Sequence, residues 1–74
     1  MEVLQQNIKA LREREKMTQR ELAEYLNLSA DAVSAWERGK NIPPLPETVK
    51  MARLFRVSVD EFVSSIIITE NCDL

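Results

Sequence analysis

Residues 17–40 read MTQRELAEYLNLSADAVSAWERGK, and this stretch decides the fold. It holds two short helical patterns joined by a tight corner. The first opens at Thr18, where Glu21 stands three residues on. That spacing makes a capping box, because each side chain can satisfy a backbone N–H left free at a helix start. Met17 is placed to act as the staple residue ahead of the cap. The spacing predicts a helix over 19–26 with Leu22, Ala23 and Leu26 as its buried stripe. Asn27 follows where a left-handed residue ends a helix, a state that asparagine tolerates well, and Leu28 is expected to plug the corner. Ser29 is a plausible N-cap for a second helix over 30–38, with Asp31 in the favourable first turn. Val33 and Trp36 should face the core. Ala30, Asp31, Ser34 and Ala35 should form a small-sided exposed surface, and Gly39, the only glycine, stops the helix.

Working outward, Leu4, Ile8 and Leu11 recur at intervals of four and three, while Lys9, Arg12, Glu13 and Arg14 occupy other faces. This predicts an amphipathic helix over about 5–15. Downstream, Pro43, Pro44 and Pro46 make a rigid turn, and a helix begins near Leu45 because proline is tolerated in a first turn. Its apolar surface is expected from Val49, Ala52, Leu54 and Phe55. Ser58 caps a short helix over 59–63, with Glu61 again three residues on. The tail changes character: Ile66, Ile67, Ile68 and Thr69 are β-branched and favour an extended segment. Such a segment is satisfied by pairing with Val3-Leu4 or with another copy of the chain, which makes Ile66, Ile67 and Ile68 a candidate dimer contact. The alternative is an extension folded over its own core.

Composition bounds what these elements can do. Seventy-four residues and 8.5 kDa fit one domain, near the lower limit for folding without disulfides or metals. The hydrophobic content of 45% and charged content of 30% suit an ordered globule. Cys72 is the only cysteine and there is no histidine, so neither an internal disulfide nor a metal site is expected, consistent with a reducing cytoplasm. Nothing near the N-terminus resembles a signal peptide, and Ile66–Ile68 is far too short to span a membrane. Cys72 reads either as an incidental thiol or as a contact between two tails. The net charge is −2, awkward for a nucleic-acid binder, but its distribution is uneven. Between residues 5 and 44 there are seven Lys/Arg against six Asp/Glu, and between 45 and 74 three against five.

The whole constellation resembles the five-helix helix-turn-helix family of phage Cro and repressor proteins. The resemblance covers about residues 5–63. It is carried by MTQRELA at 17–23, LSADAVSAWERGK at 28–40, P-x-L at 43–45 and FRVSVDEF at 55–62. It implies an all-α, compact, lambda-repressor-like domain over 1–65 with a short extension over 66–74. It also implies that the third helix lies in the major groove of DNA while the second crosses its edge. By the same resemblance Gln19, Lys40 and Asn41 map to phosphate-contacting positions, and Ala30, Asp31 and Ala35 to base-reading ones, with Ser34 beside them. Arg12 and Glu37 match a pair that ties the first helix to the third, and Trp36 reads as a core anchor.

Three departures bear on that expectation. The reading positions carry no Gln or Arg, so the usual bidentate contacts to adenine or guanine are missing. Alanine can meet a thymine methyl, and Asp31 can accept from a cytosine amino group, but its charge also sits near phosphates. Asn27 and Arg56 stand at corners where the family commonly has glycine, and Arg56 predicts local strain. The expectation is a cytoplasmic, homodimeric transcriptional regulator that binds double-stranded DNA and acts as a repressor, without cofactor, metal or enzymatic activity. The alternative is an antitoxin-like or adaptor module that uses the same helices to hold a protein partner.

Overall fold

The computed structural model describes residues 2–65. Five helices follow in order: α1 (Glu2–Arg14), α2 (Gln19–Leu26), α3 (Ala30–Glu37), α4 (Leu45–Phe55) and α5 (Val59–Ser64). No strand occurs among the described residues. The segment 66–74, with Ile66, Ile67, Ile68 and Cys72, lies outside them. One part of the tail reading is corrected all the same. Val3 and Leu4 sit inside α1, where their backbone is helical and offers no edge for a strand to pair with. This helix begins three residues earlier than the apolar spacing from Leu4 suggests.

Local chemistry starts and stops the helices largely as expected. Thr18 accepts from the Glu21 N–H at 3.0 Å while the Glu21 carboxylate accepts from the Thr18 N–H at 2.8 Å, completing the box. At the far end Asn27 is left-handed, with φ 61°. The Leu28 N–H reaches back to the Ala23 carbonyl at 2.8 Å, so the corner is closed by backbone. Leu28 does not plug it; its side chain is exposed. Ser29 occupies the N-cap position of α3 but makes no side-chain cap bond. In α5 the Ser58 hydroxyl does accept from the Glu61 N–H, at 3.0 Å. Arg56 ends α4 with φ 63°, the strained state expected for a non-glycine residue there.

The core takes one stripe from each helix. Leu4, Ile8 and Leu11 from α1 meet Leu22, Ala23 and Leu26 from α2, Val33 and Trp36 from α3, Met51, Ala52 and Phe55 from α4, and Phe62 from α5. Phe55 and Phe62 pack edge to face with centroids 6.0 Å apart, an orientation that matches ring edge to ring face. Of the α4 residues expected in the core, Val49 and Leu54 are only half-buried, and Met51 takes the central place. Buried polar groups are satisfied rather than absent. Asn7, 1% exposed, donates from Nδ2 to the carbonyls of Phe62 (2.9 Å) and Ser65 (2.7 Å). It thus ties α1 to the open end of α5, where carbonyls lack helical partners. Arg14 does the same for α4, donating to the Phe55 carbonyl at 2.6 Å. With α1 so anchored, α2 and α3 form a pair packed on its face.

Candidate nucleic-acid interface

The short α2–α3 corner leaves α3 covered on one side and open on the other. Val33 and Trp36 turn inward and are 0% and 4% exposed. Asp31 is exposed, and Ala30 and Ser34 are half-buried. Ala35 departs from the expected exposed surface: it is buried, at 9%. A turn follows α3 directly. Gly39 takes φ 77°, a left-handed state that suits a residue without a side chain. The chain then folds back so that the Lys40 and Asn41 N–H groups lie 2.9 and 3.5 Å from the Ala35 carbonyl. That return engages the Ala35 carbonyl and brings Lys40 and Asn41, both exposed, beside the end of α3. Gln5 of α1 lies directly over this turn, and a Cβ at Gly39 would collide with its side-chain oxygen.

Arg12 and Glu37 form the expected pair, as two parallel hydrogen bonds. Arg12 Nε lies 2.7 Å from Glu37 Oε2, and Nη2 lies 3.1 Å from Oε1. Arg12 also donates from Nη1 to the Met17 carbonyl at 2.7 Å, so one guanidinium binds the third helix and the entry to the second. The side chains of the pair are 11% and 5% exposed. The hydrogen bond to Glu37 raises the guanidinium pKa above its ordinary value; burial opposes this, and the Glu37 and Glu13 charges reinforce it. Arg12 therefore keeps its charge at any ordinary pH.

Gln19 joins the same network, which pairwise sequence reading missed. Its Nε2 donates to Glu37 Oε1 at 3.0 Å, so the amide is held rather than swinging freely. Glu37 thus accepts from two partners on two other segments and fixes the first residue of α2 against the last residue of α3. Gln19 is half-buried, one end of its amide committed to Glu37. Hydrogen bonds link Gln19 to the last residue of α3 and the Lys40-Asn41 turn to the Ala35 carbonyl within it. Among the described residues there is no cluster of His, Cys, Asp or Glu suited to a metal, and no cavity. No helix there is long and apolar enough to cross a membrane.

A helix pair of this form, with a capped α2, a corner of three residues and an α3 open on one side, is the geometry that docks a helix in a DNA groove. Comparison with protein families agrees: the helix-turn-helix model matches residues 8–62. The chain belongs to the XRE-type helix-turn-helix family. Similar curated proteins are transcriptional regulators. The HTH-type transcriptional activator BcrR of Enterococcus faecalis is 36% identical over 59 residues, covering 80% of this chain and 29% of the relative. The HTH-type transcriptional repressor RghR of Bacillus subtilis is 42% identical over 50 residues, covering 68% and 37%. An uncharacterized HTH-type regulator, YobD, also of Bacillus subtilis, is 36% identical over 55 residues, covering 74% and 49%. The chain thus spans less than half the length of each of these relatives. No solved structure matches it. Helix-turn-helix regulators of this family bind double-stranded DNA.

Proposed function

We propose that this chain is a sequence-specific repressor that binds operator DNA as a homodimer in the cytoplasm, with residues 1–65 as its reading domain. The observation that carries the reading is the open face of α3, flanked by the start of α2 and the Lys40-Asn41 turn, with Glu37 at its end bonded to Gln19 of α2 and Arg12 of α1. In this reading Gln19, Lys40 and Asn41 hold phosphates, and Asp31, Ala30 and Ser34 face base edges. Asp31 accepts from a cytosine amino group, the characteristic major-groove partner of a carboxylate; the adenine amino group also donates there, but beside the N7 acceptor. Ala35 contributes little direct contact because it is buried. A homodimer places two copies of α3 in successive major grooves, about 34–36 Å apart. It also offsets the weak attraction of a domain with so small a positive excess, since linked binding multiplies modest affinities. The relatives include both an activator and a repressor by name. Repression needs only occupancy of the site, whereas activation needs a further productive contact, and we take the simpler requirement.

The test is selection from randomised duplex DNA at low and moderate salt, repeated with Asp31→Ala. The reading expects enrichment of a two-fold symmetric site that contains a preferred C·G pair, with that preference lost and nonspecific affinity raised in the variant. Folded protein that enriches nothing at low salt overturns it in favour of a protein-interaction module. Exposed Tyr25, Leu28, Ile42 and Leu45 are the apolar groups such a module would use.

A further inference from the structure

The turn after α3 pivots on a residue that has little to hold it. Gly39 sits at φ 77° and is exposed, and glycine adopts left- and right-handed backbone states with almost equal ease. The Gly39 N–H lies 3.1 Å from the Trp36 carbonyl, while the Lys40 and Asn41 N–H groups share the Ala35 carbonyl at 2.9 and 3.5 Å. Both acceptors belong to α3. The Asn41 contact is longer than a good hydrogen bond, so these bonds alone hold the turn loosely.

A second element also bears on it. Gln5, near the start of α1, lays its side-chain amide across Gly39. A Cβ built on that glycine would collide with Gln5 Oε1 and stand 3.1 Å from its Cδ and 3.2 Å from its Nε2. The amide is half-buried and makes no hydrogen bond among the described residues, so its effect on the turn is one of shape. That shape selects a backbone state. Around the N–Cα bond, Cβ and the carbonyl carbon stand about 120° apart, so turning Gly39 to a helical φ of about −60° swings its carbonyl carbon into much the same space. Gln5 occupies that space. It therefore bars α3 from running on through Gly39 and carrying Lys40 and Asn41 out of their observed places.

Resting on the DNA-binding reading above, we propose that Gln5 is a positioning residue for the DNA interface. From α1 it holds Gly39 in the left-handed state and so presents Lys40 and Asn41 already in place. Without it, Gly39 samples both hands, and the turn has to be ordered when DNA arrives. Fixing the backbone of one residue corresponds to about five- to thirtyfold in an equilibrium constant. The bonds to α3 remain, which puts the expected effect at the lower end. Contacts to phosphate carry no sequence information, so the loss falls equally on all sequences. No charge changes, so the salt dependence of binding stays as it is.

The experiment compares the full chain with Gln5→Ala and Gln5→Met. Alanine and methionine are strong helix formers, so α1 is kept, and methionine retains a long side chain over Gly39. Amide hydrogen exchange and urea unfolding are followed without DNA, and affinity is measured on the selected duplex and on a library across a salt series. Gln5→Ala should speed exchange of the Lys40 N–H about fivefold and weaken DNA binding by about as much at every salt. The unfolding midpoint, base preferences and salt slope should stay close to wild type. Gln5→Met should match the wild type throughout; a Gln5→Met that behaves like Gln5→Ala overturns the role of shape. Exchange and affinity unchanged in Gln5→Ala overturn the assignment. So does a lowered midpoint with faster exchange across the whole chain, which marks a merely structural residue. A slope lower by about 0.9 overturns it too, since that is the sign of a lost phosphate contact. If the folded wild type binds no DNA at any salt, the DNA-binding reading itself fails, and Gln5 then positions no interface, whatever exchange shows.

Discussion

Replacing Glu37 with alanine tests whether the α1–α2–α3 network holds the domain together. The carboxylate is 5% exposed and accepts three hydrogen bonds, two from Arg12 and one from Gln19. Its loss strands the Arg12 guanidinium, itself 11% exposed. Breaking a buried pair from one side costs about 3–5 kcal/mol because the remaining charge stays desolvated. Two features put the expected value at the lower end. Arg12 keeps its bond to the Met17 carbonyl at 2.7 Å, and Glu13 stands 4.0 Å away as a partial substitute. The expected loss is about 3 kcal/mol, a large fraction of the 4–11 kcal/mol or so typical of a chain this size. With a urea slope of about 1 kcal/mol/M, the unfolding midpoint falls by about 3 M. Trp36 is the only tryptophan and lies in the core, so its fluorescence follows the transition. Arg12→Met with Glu37→Ala should recover part of the loss, since no charge is then stranded, giving a coupling of about 1–3 kcal/mol. A loss below about 1 kcal/mol in the single variant, at unchanged slope, is what an exposed pair gives and would refute the reasoning.

Two further substitutions probe backbone satisfaction and strain. Asn7→Ala removes both bonds from α1 to the end of α5 and leaves the buried Phe62 carbonyl short of a partner. It should cost about 1–3 kcal/mol in urea unfolding, and a neutral result would mean that water replaces the amide there without penalty. Arg56→Gly should raise stability by about 0.5–1 kcal/mol, because arginine at φ 63° bears a steric cost that glycine does not. A lower midpoint in that variant would mean that the flexibility gained by the unfolded chain outweighs the relieved strain.

The elements of this domain are written in short-range chemistry, which is why they were legible before any fold was known. Thr18 with Glu21, Ser58 with Glu61, Asn27 at the corner and Gly39 after α3 each act within four residues, so spacing alone reveals them. The apolar stripes that meet in the core obey the helical period for the same reason. Readings that needed a third segment fared differently. Ala35 has the spacing of an exposed residue, yet it is buried, and the backbone returning through Lys40 and Asn41 bonds to its carbonyl. Leu28 looks like a plug, yet a backbone bond closes the corner and leaves its side chain in solvent. Asn7 sits in an apolar stripe of α1 with nothing nearby to announce that its partners lie 55 and 58 residues away. The link from Gln19 through Glu37 to Arg12 likewise joins three segments, because one carboxylate has lone pairs enough for two donors and tertiary packing chooses which donors arrive. Periodicity and caps act along the chain; burial and hydrogen-bond partners depend on which distant segments meet, and that is settled when α1, α2 and α3 close around one core.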